Sequence, residues 1–432
     1  MTKIGFITLG CKVNTYESNA LKDKFISLGY EVGDADSSCV AFIINTCSVT
    51  NMADSKSRQM IHKCIKLNPN AIVCAMGCFI QSNEDAKKID GVDILIGNSN
   101  KGIAVEKIDE MLKSGKREKY INITDILREK EYEPLTATMF DHTRAFVKIE
   151  DGCQNFCSYC IIPYARGPVR SKPLLVALRE FKEIAKMGYK EIVLSGIDTG
   201  KYYDKETNTN FSGLIKKMIE NIPEIERIRV SSVEITQIDD EFIELLKNNK
   251  VIASHIHLPL QSGSDIVLKD MRRKYDTNKF LEVVNKLRLA RPDISITTDV
   301  IVGFPTETDL EFKNSVEFIK KVNFSKVHVF PYSMRKNTLA AKMPQLDENI
   351  KKERTKLLIH EASKLEKNYY LSFVGKIYDV LFEQSDDKYT YGHTTNYLEI
   401  KVSKDDNLIG KIVDVSLEKY DNGAIFGTII QK

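Results

Sequence analysis

The sequence predicts an α/β protein in three parts: a doubly wound parallel sheet, then a (β/α)6 barrel of TIM-like character, closed or partial, then a small all-β barrel. Three observations predict this. Short apolar strands alternate with helical stretches over residues 1–113; six further βα units recur between 141 and 330; and past residue 371 helices give way to short strands separated by turn residues. A chain of 432 residues has room for two to four such domains.

In the first part, IGFITL (4–9) reads as a strand and 14–28 as a helix closed at Gly29, where a left-handed cap is expected. A short piece around Val32 follows, then the strand VAFIIN (40–45), a helix over 51–67, and the strands AIVCAM (71–76) and DILIG (93–97). Residues 114–140 are charged, lack sustained periodicity and read as a linker. Over 141–370 the expected strands are AFVKIE (145–150), EIVLSG (191–196), RIRVSSVE (227–234), HIHLPL (255–260), ISITTDVIVG (294–303) and KVHVF (326–330), with helices near 173–187, 211–220, 238–248, 264–290 and 308–321. A basic helix over 351–367 precedes the final domain, 371–432, whose strands are sought in FVGKIYDVLFE, YLEIKV, GKIVDVSLE and AIFGTIIQ.

Composition excludes some classes. A net charge of +3 is too small to indicate nucleic acid by itself, so any RNA-binding surface must be local. The opening segment MTKIGFITLGCKVN lacks the features of a secretory signal, and no stretch has the roughly 20 apolar residues needed to cross a bilayer. A cytoplasmic protein without membrane contact is expected. Nine cysteines, an odd number, argue against a disulfide framework and for thiolates used as ligands.

Cys153, Cys157 and Cys160 form a C-x3-C-x2-C array directly after a predicted barrel strand. Three thiolates on one tight loop can hold three irons of a 4Fe-4S cluster, leaving the fourth iron open to a small molecule. Zinc is the competitor, but a structural zinc site wants four ligands, and no fourth Cys or His lies nearby in sequence. The aromatic Tyr159 before the last cysteine strengthens the cluster reading.

CQNFCSYC at the mouth of a βα barrel resembles the radical-SAM superfamily. The resemblance implies that the open iron chelates S-adenosylmethionine (SAM), which is cleaved to a 5′-deoxyadenosyl radical, and that Tyr159 belongs to the cofactor site. Other barrel-end residues suit SAM less specifically: Gly196, Asp198 and Gly200 in LSGIDTGKY, Ser232 and Glu234 in VSSVE, and Asp299 and Gly303 in DVIVGFPTET. Each glycine is equally readable as a packing or turn residue.

Cys11, Cys47 and Cys78 are far apart in sequence, but each follows a predicted strand of the first domain. In a parallel sheet the strands share one C-terminal edge, where ligands bind, so the three sulfurs are expected to meet there. A second 4Fe-4S cluster is one reading; small buried hydrophobes is the other. Cys39 in a loop, Cys64 on a helix and Cys74 inside a strand lack edge positions and are read as structural.

The arrangement then resembles the methylthiotransferase family of radical-SAM enzymes across essentially the whole chain. The matching motifs are LGCKVN (9–14), NTCSVT (45–50), GCFIQ (77–81), CQNFCSYCIIPYARGPVRS (153–171), HLPLQSGS (257–264) and VGFPTET (302–308). The resemblance implies two 4Fe-4S clusters, SAM as cofactor, an external electron donor and sulfur source, and a C-terminal TRAM-like RNA-binding barrel. LGCKVN, NTCSVT and GPVRS point to the MtaB-type branch, which methylthiolates C2 of N6-threonylcarbamoyladenosine next to the anticodon, with the tRNA anticodon stem-loop as partner. The sister branches act on isopentenyladenosine in tRNA or on an aspartate of a ribosomal protein. Outside the family, the alternatives are a radical-SAM RNA methylase, which predicts no cluster on the first domain, and a non-enzymatic iron–sulfur or RNA-binding scaffold.

Candidate RNA and substrate contacts are Arg166, Arg170 and Lys172 after the cluster loop, Arg272 and Arg273 with Lys274 after HLPLQSGS, and the basic helix. The final domain is acidic, with seven lysines against ten acidic residues over 372–432, so it must rely on stacking by residues such as Tyr391 and Tyr397 in YTYGHTTNY. A threonylcarbamoyl group carries a carboxylate, whose burial demands a cation. Lys12, Arg166 and Arg170 are the candidates, all beside cluster cysteines.

Overall fold

The computed structural model describes residues 2–430. The first domain runs β1 (Lys3–Thr8), α1 (Lys12–Ser27), β2 (Glu31–Asp34), β3 (Ala41–Thr46), α2 (Asn51–Leu67), β4 (Ile72–Gly77), α3 (Cys78–Ser82), β5 (Ile94–Ile96), α4 (Ile103–Ser114) and β6 (Tyr120–Asn122). Its strands form one parallel sheet in the order β2-β1-β3-β4-β5-β6. β3 and β4 are buried along their whole length because the sheet separates two apolar cores. Gly29 has the left-handed backbone expected after α1.

The segment read as a linker is more ordered than its composition suggests. β6 lies within it and extends the sheet, while Leu135 and Ala137 are buried between the first domain and the barrel. The Tyr132 hydroxyl donates to the Lys148 carbonyl, and Glu133 accepts the Gly102 amide ahead of α4. A three-residue strand is too short to show periodicity, and a segment held by scattered side chains shows none.

The central domain comprises β7 (Arg144–Lys148), β8 (Glu150–Asp151), α5 (Ile162–Arg166), β9 (Arg170–Ser171), α6 (Leu174–Lys186), β10 (Glu191–Ser195), β11 (Tyr203–Asp204), β12 (Thr209–Asn210), α7 (Phe211–Asn221), β13 (Arg227–Val230), α8 (Asp240–Asn248), β14 (His255–His257), α9 (Asp265–Asp270), α10 (Thr277–Ala290), β15 (Ser295–Val302), α11 (Asp309–Val322), β16 (Lys326–Pro331) and α12 (Glu348–Leu371). Two parallel sheets, β13-β10-β7 and β14-β15-β16, join where Ile228 bridges Ile252, so six strands curve into a barrel. β7 and β16 do not pair; the barrel is open there, and α1 of the first domain packs on β7. The helix expected over 264–290 is two helices, broken where Arg272 adopts a left-handed conformation.

The last five strands, β17 (Ile377–Ser385), β18 (Tyr389–Thr394), β19 (Glu399–Ser403), β20 (Ile412–Asp421) and β21 (Ala424–Ile429), close a barrel in the order β17-β18-β19-β21-β20. YTYGHT, read above as a source of stacking groups, is itself a strand whose residues alternate between half-buried and buried. The small barrel docks firmly. Arg227 donates to the Asp379 carboxylate, and Arg229 to the carbonyls of Thr394 and Thr395.

Candidate active site

The sheet edge gathers Cys11, Cys47 and Cys78. Cys11 precedes the first turn of α1, Cys47 follows β3, and Cys78 opens α3 directly after β4. Two glycines make the approach possible. Gly10 has φ +97°, and a Cβ there would lie 2.7 Å from Cys47 Sγ; Gly77 has φ +102°, and its Cβ would lie 2.8 Å from the Thr46 carbonyl oxygen. Any other residue would drive the turns apart. Burial pushes the Cys47 thiol up to about 11, and the neighbouring Cys78 and Cys11 push in the same direction. Asn98 donates one side-chain amide to Cys78 Sγ (3.3 Å) and to the Ala165 carbonyl (2.7 Å), tying this edge to the helix after the barrel's cysteine loop.

Cys153, Cys157 and Cys160 lie on the loop between β8 and α5. The loop is pinned by the Cys153 amide to the Gly167 carbonyl and by the Ser158 amide and hydroxyl to the carbonyls of Met271 and Asp270. Arg273 donates to Cys157 Sγ (3.3 Å) and pairs with Glu234 (3.1 Å). Asn155 donates to Asp198 and Glu234, and Lys201 pairs with Asp198. Burial raises the Cys160 thiol to about 12, and the adjacent Cys157 adds to this. Tyr159 packs in a satellite core with Val267, Met271 and Phe304.

The donor sets can be tested against iron–sulfur clusters. A cubane, in which each iron takes one thiolate, finds three of its four ligands in either triplet of free cysteines. Cys39, Cys64 and Cys74 are fully buried away from both edges.

A cavity of about 670 Å3 occupies the barrel lumen and reaches the turn that carries Cys11. Gly10 and Lys12 border it on one side, and Ser231, Ser232, His257, Asp299 and His328 on the barrel side. His257 pairs with Asp299 (3.3 Å) and bonds to the Thr297 hydroxyl through its other nitrogen (2.9 Å). Tyr397, with φ +66°, stacks between His255 and His393 at centroid distances of 4.6 and 4.8 Å. Burial opposes ionisation of Tyr397, but Arg144 and Lys12 outweigh it and hold its pKa below the ordinary tyrosine value. Burial and the nearby Arg229 keep His255 neutral, its pKa well below the usual range.

Several residues proposed from sequence as RNA contacts are corrected by their surroundings. Arg166 is fully buried and bonds Glu17, Asp151 and Asn14. Arg170 donates to the Arg166 carbonyl, and Lys172 is enclosed by Glu180 and the Tyr16 hydroxyl. Arg273 serves the cysteine loop. None of these cations can reach a phosphate, because each is held by a buried partner. Within the basic helix, Lys351 and Arg354 are likewise buried and pair with Glu348 and with Glu307 and Asp309. Tyr397 is a wall of the cavity rather than a free stacking surface. Arg272 is exposed, and Tyr391, half-buried, donates to Asp386 beside Tyr389.

The glycines proposed to leave room for SAM prove to accommodate protein. A Cβ at Gly196 would meet Glu150 Oε2, one at Gly200 would meet Gln237, and one at Gly303 would meet Lys351. Asp198 and Glu234 do flank the cysteine loop, and Ser232 and Asp299 line the cavity. No sequence motif flags the lumen histidines. The signal for them is alternation: His255 and His257, or Thr297 and Asp299, are two apart on one strand and face the same way.

Comparison with known proteins agrees with this geometry. Residues 147–319 match the radical SAM superfamily, and residues 3–97 match a family described as uncharacterized protein family UPF0004. The chain is 40% identical over 427 residues to the threonylcarbamoyladenosine tRNA methylthiotransferase MtaB of Bacillus subtilis, covering 97% of this chain and 94% of that protein. It is also 40% identical to the Aquifex aeolicus protein of the same name, over 96% of this chain and 99% of the relative. A tRNA-2-methylthio-N(6)-dimethylallyladenosine synthase of Acetivibrio thermocellus is 32% identical over 98% of the chain and 90% of the relative. Among solved structures, the fold is similar to the radical SAM methyltransferase TsrM of Kitasatospora setae, with TM-score 0.56, 13% identity and coverage of 77% and 75% of the two chains.

Proposed function

This chain belongs to the threonylcarbamoyladenosine tRNA methylthiotransferases, and from that premise we propose how its residues divide the reaction. The enzyme transfers a methylthio group to C2 of N6-threonylcarbamoyladenosine in tRNA, using SAM and two 4Fe-4S clusters. Cys153, Cys157 and Cys160 hold the radical-SAM cluster, and Cys11, Cys47 and Cys78 hold the second. The observation that carries this division is the gathering of one triplet at the sheet edge and the other on the β8–α5 loop, the two tied by Asn98, which donates both to Cys78 Sγ and to the Ala165 carbonyl. When bound, the clusters and SAM supply the carbon radical, the sulfur and the methyl group that an unreactive aromatic C–H demands.

The protein's own contribution is placement and insulation. Asn98 and Arg273 aim N–H donors at Cys78 and Cys157, offsetting charge on the thiolates that ligation requires. Asp198 and Glu234 put carboxylates beside the cysteine loop, suited to an ammonium group of the cofactor. Arg335, from the loop after β16, donates to Ser48, Asn51 and Asp54 and fixes the segment after Cys47 against the barrel. The anticodon stem-loop docks over the cavity mouth, with exposed Arg272, Lys274 and Lys336 taking phosphates and the half-exposed Phe156–Tyr164 pair offering apolar surface to unstacked bases. An external reductant and a sulfur source are required.

The test is substrate choice. Anaerobically reconstituted enzyme, SAM and reductant are incubated with tRNA carrying either the threonylcarbamoyl or the isopentenyl modification, and nucleosides are read by mass spectrometry. A mass increase on the threonylcarbamoyl nucleoside alone is expected; methylthiolation of the isopentenyl nucleoside rejects the substrate reading.

A further inference from the structure

We propose that Lys12 is the specificity-determining residue of the cavity and binds the carboxylate of the threonylcarbamoyl group; this rests on the substrate reading above. Lys12 is in an unfavourable place for a lysine. It is the first residue of α1, where the partial positive charge of the helix N-terminus repels a cation, and the first turn contains no acidic residue to balance it. Its ammonium projects toward the barrel and donates to the Ser231 hydroxyl (3.2 Å), with the Phe146 ring 5.9 Å away. Among the described residues it makes no ion pair.

The nearby cations do not share that condition. Arg144 is paired with Glu383 (2.9 Å), while Glu191 accepts from both Arg229 (2.6 Å) and Arg227 (3.1 Å). Arg227 also pairs with Asp379 (2.8 Å), so each of these arginines has a carboxylate in contact and Lys12 has none. A partly desolvated ammonium without a counter-ion, beside two arginines and at the wrong helix end, has no structural explanation in its packing. An anion bound in the cavity would answer all three costs at once.

The chemistry of the anion follows from the substrate. A threonylcarbamoyl group ends in a free carboxylate; an isopentenyl group carries no charge. Lys12 adjoins Cys11, so it is placed at the thiol edge toward which C2 must turn. C2 and C6, the carbon that bears the exocyclic N6, belong to one six-membered ring whose width is comparable to the reach of a lysine side chain. The Ser231 hydroxyl, already bonded to Nζ, supplies a second donor to the same carboxylate. Of the three cations considered from sequence, Arg166 and Arg170 are committed to buried partners, and Lys12 alone is free to act.

The experiment pairs two substrates with two proteins. Reconstituted wild-type and Lys12→Gln enzymes are given stem-loop RNA carrying threonylcarbamoyladenosine, or the same RNA with the threonine carboxylate converted to its carboxamide. Iron content and SAM cleavage without RNA are measured alongside. Wild type should favour the carboxylate RNA by about 10- to 100-fold, chiefly in KM, the range for a hydrogen bond to a charged group. Lys12→Gln should treat the two RNAs alike, and Lys12→Arg should restore part of the preference. Ser231→Ala, remote from the thiol edge in sequence, should reduce the preference several-fold with iron content unchanged. If Lys12→Gln and Ser231→Ala both keep the wild-type preference, the role of Lys12 is overturned. If wild type acts on neither RNA, the substrate reading fails, and the assignment to Lys12 with it.

Discussion

Replacing Glu17 by Gln should weaken the junction between the two cluster-bearing domains more than any surface change of similar size. Glu17 lies on α1, and its carboxylate is buried with Lys101, with Lys148 (3.0 Å) and with Arg166 (2.9 Å), which come from the first domain, from β7 and from α5. Asp151 is a second carboxylate there, pairing with Lys148 and Arg166. Removing the charge of Glu17 leaves Lys101 without its carboxylate and Asp151 to face Lys148, Arg166 and Arg170 (3.8 Å). Breaking a buried pair of this kind costs about 3–5 kcal/mol, because the remaining charges can neither hydrate nor find new partners. Lys22→Ala is the control: it breaks an interdomain pair with Asp141, which is largely exposed, and should cost under about 1 kcal/mol. The assay is denaturant unfolding by far-UV circular dichroism, with proteolysis of segment 114–140 as a local report on domain separation. A Glu17→Gln protein within about 1 kcal/mol of wild type, cleaved no faster, would refute the reasoning.

Two further outcomes follow from the same structure. Anaerobic reconstitution should load about eight irons on wild type and about four when Cys11, Cys47 and Cys78, or Cys153, Cys157 and Cys160, are replaced together by Ala, while the Cys39, Cys64 and Cys74 triple keeps all eight; iron analysis decides, and loss of a cluster from the control triple would contradict the assignment. Acid stability should depend on Glu191: burial opposes its ionisation, but Arg229 and Arg227 outweigh this and bring its pKa to about 2. A depressed folded-state pKa stabilises above the ordinary carboxylate value, so this contribution is present at neutral pH and is lost as pH falls from about 4.5 toward 2. Glu191→Gln should flatten that limb of the stability–pH curve measured by unfolding.

Much of the architecture is legible in the sequence because periodicity and topology act over long stretches. The strand-then-cysteine repeat at Cys11, Cys47 and Cys78 suffices to predict a shared edge, since parallel strands all end on one side. The C-x3-C-x2-C array is local and needs no fold. What sequence could not show is the fate of each charge. Arg166, Arg170 and Lys172 look like a basic patch in the string GPVRSK and its neighbourhood, yet their counter-charges Glu17 and Glu180 arrive from α1 and α6. Lys12 looked the same in sequence and differs only in having no such partner. The lumen histidines belong to HIHLPL, a pattern that marks a strand but not a site, though alternation on a barrel strand marks which side chains face inward. Tyr397 reads as an RNA-facing stacking group because nothing in the sequence says that the small barrel turns this residue into the lumen.

The division of labour between the two thiol sites is tested most directly by the variant with Cys11, Cys47 and Cys78 replaced by Ala. Given SAM, reductant and threonylcarbamoyl-modified tRNA, it should still release 5′-deoxyadenosine while forming no methylthio nucleoside, as read in one chromatographic run. Continued methylthiolation by this variant would contradict the account.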